Sequence, residues 1–368
     1  MIPGYVLGDL SLGRDTTMTS RTTRRTLAAL GLAAAVTGTA LVAAPPAQAA
    51  GTITVTFRHG ALTVAGNDSA NRIELVRRAS GRIVVRADSR IVHRGGVPTV
   101  RNVEVIRVST YGGNDVVRIR PGLRGVTVSA GNGADRVVGG SGADELRGGT
   151  GNDALFGGGG NDTLLGATGN DRLEGQGGHD RVLGDGGDDV LAAHAGRDIL
   201  RGGTGDDAYH FDGALAGRHL LVEQAGEGTD EVRFFGPTGI TLDLSATTYQ
   251  QASAALSVRL SSGGAFENLH GGWGDDTLTG NALANELNGG EGKALLTGGA
   301  GADLIVAGDG GDFGIHTLAD FADEDAIDLV TGFVSSGMGT SFVVVTTDDH
   351  DLGAFDGGSH MFVPADFL

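Results

Sequence analysis

Between Gly139 and His210 one nine-residue phrase recurs eight times without a change of frame: GGSGADELR, GGTGNDALF, GGGGNDTLL, GATGNDRLE, GQGGHDRVL, GDGGDDVLA, AHAGRDILR and GGTGDDAYH. The sixth place is always Asp: Asp144, Asp153, Asp162, Asp171, Asp180, Asp189, Asp198 and Asp207. The eighth is aliphatic or Tyr: Leu146, Leu155, Leu164, Leu173, Val182, Leu191, Leu200 and Tyr209. Self-similarity at a short fixed period means units that cannot bury a core alone and must stack, which restricts the chain to a solenoid-type architecture.

Each phrase divides into a six-residue turn and a three-residue strand. Glycine at places one, two and four permits φ > 0 and lets carbonyls crowd inward where a Cβ would obstruct them. Strand side chains alternate, so only the eighth place reaches the interior. Two phrases complete a coil, and coils stack at the ~4.8 Å spacing of neighbouring strands. Asp residues eighteen positions apart then lie above one another. One column holds Asp144, Asp162, Asp180 and Asp198; the other holds Asp135, Asp153, Asp171, Asp189 and Asp207.

Carboxylates ~4.8 Å apart repel by roughly 1 kcal/mol in water and several times that in a shielded groove. A hard cation removes that repulsion, and Ca²⁺ takes ~6–8 oxygen ligands of the kind that carboxylates and turn carbonyls supply. Mg²⁺ demands a tight octahedron and keeps its waters, whereas Zn²⁺ prefers Cys and His. The chain has no Cys. One interior side chain per nine residues is a thin core, so the region is expected to stay disordered until Ca²⁺ binds.

The phrase resembles the GGxGxDxUx repeat of hemolysin-type (RTX) calcium-binding proteins, densely over 130–210 and less perfectly over 271–313. The resemblance implies an all-β chain: a parallel β-roll or β-solenoid with Ca²⁺ held between successive turns on the same side. The expected metal ligands are the eight Asp above with Asp135, Asp276, Asp303 and Asp312. The carbonyls of Gly139, Gly140, Gly142, Gly148, Gly149, Gly151, Gly157, Gly158, Gly160, Gly202, Gly203 and Gly205 complete the shells.

Around the repeats the chain divides further. Arg21, Arg24 and Arg25 precede an apolar run over 27–44 and Pro45-Pro46-Ala47-Gln48-Ala49. This reads as a signal peptide over 1–49 with Met18 as the better start. Thr23-Arg24-Arg25-Thr26-Leu27 resembles a twin-arginine signal without its usual Phe, or is simply a positive n-region. The general secretory route suits a roll that is unfolded at low calcium, so the product is expected outside the cell. Residues 50–129 carry short β-type runs separated by turns such as Gly112-Gly113-Asn114-Asp115, which already resembles a degenerate calcium turn. They read as a lead-in or cap, with a separate small β-domain as the alternative. Residues 130–212 form the first block and 213–268 a β-rich spacer, which includes a stretch over 221–232 similar to spacers between such blocks.

Residues 269–314 form a degenerate second block. Asn285 and Ala294 stand at its ligand place and Lys293 brings a cation, so it is expected to hold fewer ions. Phe313 and Gly314 mark the end of the roll. Residues 315–368 read as a C-terminal cap, with a strand over 342–346 covering the sheet edge.

A net charge of −18 argues against nucleic-acid or anionic-membrane partners. Removing 1–49 takes away Arg14, Arg21, Arg24 and Arg25 against Asp9 and Asp15, which leaves the remainder more acidic still. No stretch beyond the leader is long and apolar enough to span a bilayer. Calcium would replace the disulfides usual in exported domains. Neither HExxH nor GxSxG occurs, so no metalloprotease or hydrolase site is expected. An extracellular glycan or cell surface is the expected macromolecular partner of a structural or adhesive protein.

The alternative is a polysaccharide lyase or epimerase using Asp243 and Glu267 on a sheet face. His179 and His194 read as solvated turn residues, and His210 and His270 likewise. Trp273 is either packed on the spacer or an exposed contact residue. The fifth-place residues Asn152, Asn161, Asn170, Asp188, Asp206 and Asp275 read as turn stabilisers bonding their own backbone rather than as ligands.

Overall fold

The computed structural model describes residues 51–306 and, as backbone, the short strands Thr317–Leu318 and Ala326–Asp328. The leader 1–49, Asp312, Phe313, Gly314 and 342–346 lie outside the described residues, as does the 315–368 segment apart from those two strands.

Successive strands alternate between two long sheets, one of twelve strands and one of thirteen, with a third sheet of four. Glu145–Thr150, Thr163–Thr168, Arg181–Gly186 and Ile199–Thr204 stack in the first. Ala154–Gly159, Arg172–Gly177, Val190–Ala192 and Ala208–Asp212 stack in the second. All of these neighbours pair parallel at an offset of eighteen residues, as in Leu146↔Leu164, Leu155↔Leu173 and Val182↔Leu200. The described chain is an all-β parallel roll with two nonapeptides per coil. Every eighth-place side chain from Leu146 to Tyr209 is fully buried.

Most repeat strands are six residues long, where three were expected. They run on into the first three places of the following turn because those residues also meet their counterparts one coil away. Gly149 and Thr150 pair with Ala167 and Thr168. Farther into the turns, Gly151 N donates to Thr168 O and Gly169 N to Gly186 O, at 2.8 and 2.9 Å. The ladder continues through the turns because their amides also meet carbonyls one coil away.

The same two sheets extend on both sides of the strict repeats. The thirteen-stranded sheet runs through Arg136–Val138, Val116–Ile119 and Arg72–Arg77 in one direction, and through Glu231–Phe235, Asn268–His270, Glu286–Asn288 and Leu304–Val306 in the other. The first coil is closed by hairpins: Thr52–Arg58 pairs antiparallel with Ala61–Asn67, and Arg72–Arg77 with Ile83–Ala87. One buried cluster reaches from Ile53 to Ile305.

In the middle the coils lengthen, since Tyr209 pairs with Val232 and Val232 with Leu269. Aromatic rings fill the larger interior there. Phe211 packs on Phe234 at 5.7 Å and Tyr209 meets Phe266 edge-on at 5.6 Å.

Candidate metal centre

Stacking at a fixed offset places each sixth-place carboxylate beside the backbone of the coil before it. Asp144 N donates to Asp162 Oδ1 at 2.7 Å, Asp153 N to Asp171 Oδ1 at 2.7 Å, and Asp162 N to Asp180 Oδ1 at 2.8 Å. Asp171 N and Asp189 N repeat the bond to Asp189 and Asp207, and Asp180 N donates to Asp198. Asp135 N bonds Asp153 in the same way. Both predicted columns therefore form, and each is zipped to its own backbone through one oxygen per carboxylate.

The second oxygen has no such use. Oδ2 of Asp135, Asp153, Asp162, Asp171, Asp180, Asp189 and Asp207 is buried without a hydrogen-bond partner. In Asp153, Asp162, Asp171, Asp180, Asp189 and Asp207 it folds over the glycine that opens the same turn. A Cβ on Gly148 would lie 2.1 Å from Asp153 Oδ2, and one on Gly166 would lie 2.2 Å from Asp171 Oδ2. The carbonyl of the first glycine of the next coil converges on the same spot: a Cβ on Gly157 would meet Asp162 Oδ2 at 2.5 Å and Gly175 O at 2.6 Å.

Places two and four carry the positive φ, at +125° and +113° in Gly149 and Gly151, while place one does not. Their carbonyls also turn toward the gap between coils, Gly140 O against Gly158 and Gly142 O against Gly160. Orphaned carboxylate oxygens and inward carbonyls, with no nitrogen or sulfur donor among them, form a donor set that fits a hard cation such as Ca²⁺.

Burial pushes these carboxyls well above their usual range. Asp153, Asp180, Asp189 and Asp207 rise to about 7, raised further by the neighbouring carboxylates of their columns. Asp162 and Asp171 rise to about 6, and Asp135 and Asp144 are also raised, with desolvation the main cause in each. Neutralising charge is what these columns lack.

Residues 129–164, 156–191, 183–213, 270–293 and 279–313 match the RTX calcium-binding nonapeptide repeat (four copies). The chain carries RTX repeats. No curated protein matches the chain.

The RTX turns are not all alike. Asp144 Oδ2 accepts from Gly140 N at 2.7 Å and Asp276 Oδ2 from Gly272 N at 3.0 Å, so these two carboxylates close their own turns. Asn285 does the same with Asn281 N at 2.7 Å. Asp303 Oδ1 accepts from Asn285 N at 2.9 Å, which keeps the second block in the column pattern. Ala294 is buried at its ligand place and Lys293 is exposed. Asp198 Oδ2 lies 3.0 Å from Nδ1 of His219, a fully buried imidazole that ends this column.

The fifth-place residues act differently from expectation. Asn152 Oδ1 accepts from Asn170 N, Asn161 from His179 N and Asp188 from Asp206 N, each one coil ahead at 2.9–3.1 Å. They form an outer ladder between turns rather than bonding their own backbone. His179 joins it, its Nδ1 accepting from Arg197 N at 3.0 Å. Trp273 is 60% exposed and is held by its backbone, which donates to Gly236 O.

Asp243 accepts from Ser245, and Glu267 accepts from Asp230 N at 2.8 Å. Asp243 ends a strand of the four-stranded sheet, whereas Glu267 precedes a strand of the thirteen-stranded one.

Two carboxylates belong to a column that the strict frame did not include. Asp115 N donates to Asp135 Oδ1 at 2.7 Å, and Asp115 Oδ2 is another buried orphan. Its turn has the repeat's φ pattern, +73° at Tyr111 and +97° at Gly113. At the other end Asp207 N donates to Asp230 Oδ1 at 3.0 Å. The signals were Gly113-Asn114-Asp115 and Thr229-Asp230-Glu231-Val232, each an incomplete copy of the phrase.

Proposed function

We propose that this chain is a secreted protein whose calcium-binding roll folds on its metal and serves outside the cell as a non-catalytic structural or adhesive element. The observation that carries this reading is the row of buried, unpartnered Oδ2 atoms on Asp135, Asp153, Asp162, Asp171, Asp180, Asp189 and Asp207. Those carboxylates, with the inward carbonyls of the turn glycines, would hold the ions. Bound Ca²⁺ supplies the positive charge that lets the columns ionise while closed.

Asp144 and Asp276 spend both oxygens on backbone amides and would be weaker ligands. Export is supported by the leader pattern, and affinities on the order of 10⁻⁴–10⁻³ M, as in extracellular calcium modules, are expected. No helix among the described residues is long and apolar enough to cross a membrane.

Circular dichroism during a calcium titration of chelator-treated protein tests the reading. The β signal should rise cooperatively by millimolar calcium and vanish on chelation. A spectrum indifferent to calcium would end it.

A further inference from the structure

The strict repeats end at His210, and the turn stacked on that last repeat is built differently. Gly205 O crowds Gly228 and Asp206 Oδ1 accepts from Thr229 N at 2.8 Å, so the two turns match at an offset of 23 residues. At the turn's start the offset is 21, with Arg201 pairing Val222 and therefore Gly202 facing Glu223. The upper turn is two residues longer than a nonapeptide turn.

In the six strict turns from Gly148 to Gly202 that begin with glycine, a Cβ at that first place would collide with the turn's own carboxylate. The enlarged turn instead places Glu223 there and folds its side chain back into the gap. Its Oε1 accepts from Gly202 N at 2.9 Å and Gly203 N at 3.2 Å, and from the Tyr209 hydroxyl. Tyr209 itself accepts from Gly202 N at 2.6 Å. This explains the one Tyr on an otherwise aliphatic rail: its ring packs inside and its hydroxyl reaches the turn to position Glu223.

Three buried carboxylates then face one another. Oxygens of Asp207, Glu223 and Asp230 all lie within 4.8 Å of each other, and the residues are at most 4% exposed. Glu223 Oε2 and Asp207 Oδ2 are buried without a hydrogen-bond partner. Among the described residues none of the three makes an ion pair.

We propose that Glu223, Asp207 and Asp230 form a cation site that the nonapeptide motif does not encode, taken by Ca²⁺ or a cation of the same hard class, which fastens the enlarged turn to the end of the first repeat block. The proposal rests on the reading of the repeats as calcium-binding. Three carboxylates on one ion give this site a higher ligand charge than a repeat site with its carbonyl-rich shell, and ligand charge raises calcium affinity. The site is therefore filled early, at the boundary where periodic stacking would otherwise stop.

The test is calcium stoichiometry on the full-length chain by isothermal titration calorimetry, wild type against Glu223→Gln. Gln keeps the shape and the acceptor for Gly202 and Tyr209 and removes only the charge. The variant should bind one ion fewer and retain the wild-type circular dichroism at saturating calcium. Should it fail to fold, Asp230→Asn, which keeps its acceptor for Asp207 N, is expected to lose the same ion.

Terbium luminescence excited through tyrosine, in a Trp273→Phe background, provides a readout specific to the place. Glu223→Gln and Tyr209→Phe should each lose the same part of the emission, and the double variant no more than either. Unchanged stoichiometry and emission in Glu223→Gln would overturn the site while leaving the repeat sites standing. Absence of calcium binding by the wild type would overturn the functional reading and this site with it.

Discussion

Where glycine opens an RTX turn it is required for room rather than for an unusual backbone angle. At Gly184 a Cβ would lie 2.1 Å from Asp189 Oδ2 and 2.7 Å from Gly202 O, and φ is not positive. Gly159, at the third place, has its nearest neighbour at 3.9 Å. Overpacking costs ~1–3 kcal/mol, while a substitution into open space stays within about 0.5 kcal/mol. Gly184→Ala should therefore lower urea stability in saturating calcium and weaken calcium binding, whereas Gly159→Ala should do neither. The second place behaves in the opposite way: it holds φ of 86°, 66° and 76° even at Ala167, Gln176 and Asp185. Left-handed backbone at such residues costs roughly 1–2 kcal/mol each, and the stacked neighbours enforce it. Glycine's presence at these places could be read from the phrase. Which glycines were there for space and which for angle depended on where the carboxylate of the same turn folds.

A strand of the roll touches the strands directly above and below it and those facing it across the interior, so damage to one should stay near it. Leu164 is fully buried on Thr163–Thr168, between Glu145–Thr150 and Arg181–Gly186. Leu164→Ala removes buried methyl groups from a single-file interior, at an expected ~2–5 kcal/mol. Amide exchange with calcium present should quicken most in those three strands and in the facing Ala154–Gly159 and Arg172–Gly177, and least in the hairpins at Thr52–Arg58 and Arg72–Arg77. Uniform loss of protection would contradict nearest-neighbour coupling. Strand location was plain from the eighth-place rail, but strand length was not. Three residues per phrase follow from side-chain alternation, and the other three become strand only because the next coil supplies partners for their amides.

The columns make the fold's stability a function of pH as well as of calcium. Without metal, desolvation lifts Asp162 and Asp171 to about 6, Asp153, Asp180, Asp189 and Asp207 to about 7, and Asp230 to about 8. Unfolded Asp titrates near ~3.9. Between those values the folded chain binds more protons than the unfolded one, so stability of the metal-free roll falls as pH rises from about 4 to about 8. Acidification to about pH 5 should thus return β signal to the chelated protein, protons standing in for calcium. At about pH 5, where the metal-free roll is folded and protonated, calcium binding should release protons, which calorimetry detects as an enthalpy that changes with the ionisation heat of the buffer; at pH 7 the disordered chain is already ionised and should release few. A metal-free chain equally unstructured at pH 5 and pH 8 would contradict the burial of these carboxyls.

From the phrase alone followed the coil of two repeats, both Asp columns, the interior rail and the class of metal. All of these depend on contacts between residues eighteen apart, and a strict period repeats such contacts automatically. The column's extension to Asp115 and Asp230, and the return of Glu223 into the gap, rest on offsets of 20, 23 and 21 residues. Loop length costs little free energy, so nothing local sets such offsets; partners are chosen by which strand edge is open and which carboxylate finds an amide. Periodicity could name the column carboxylates inside the repeat, but the ones at its margins were decided by stacking.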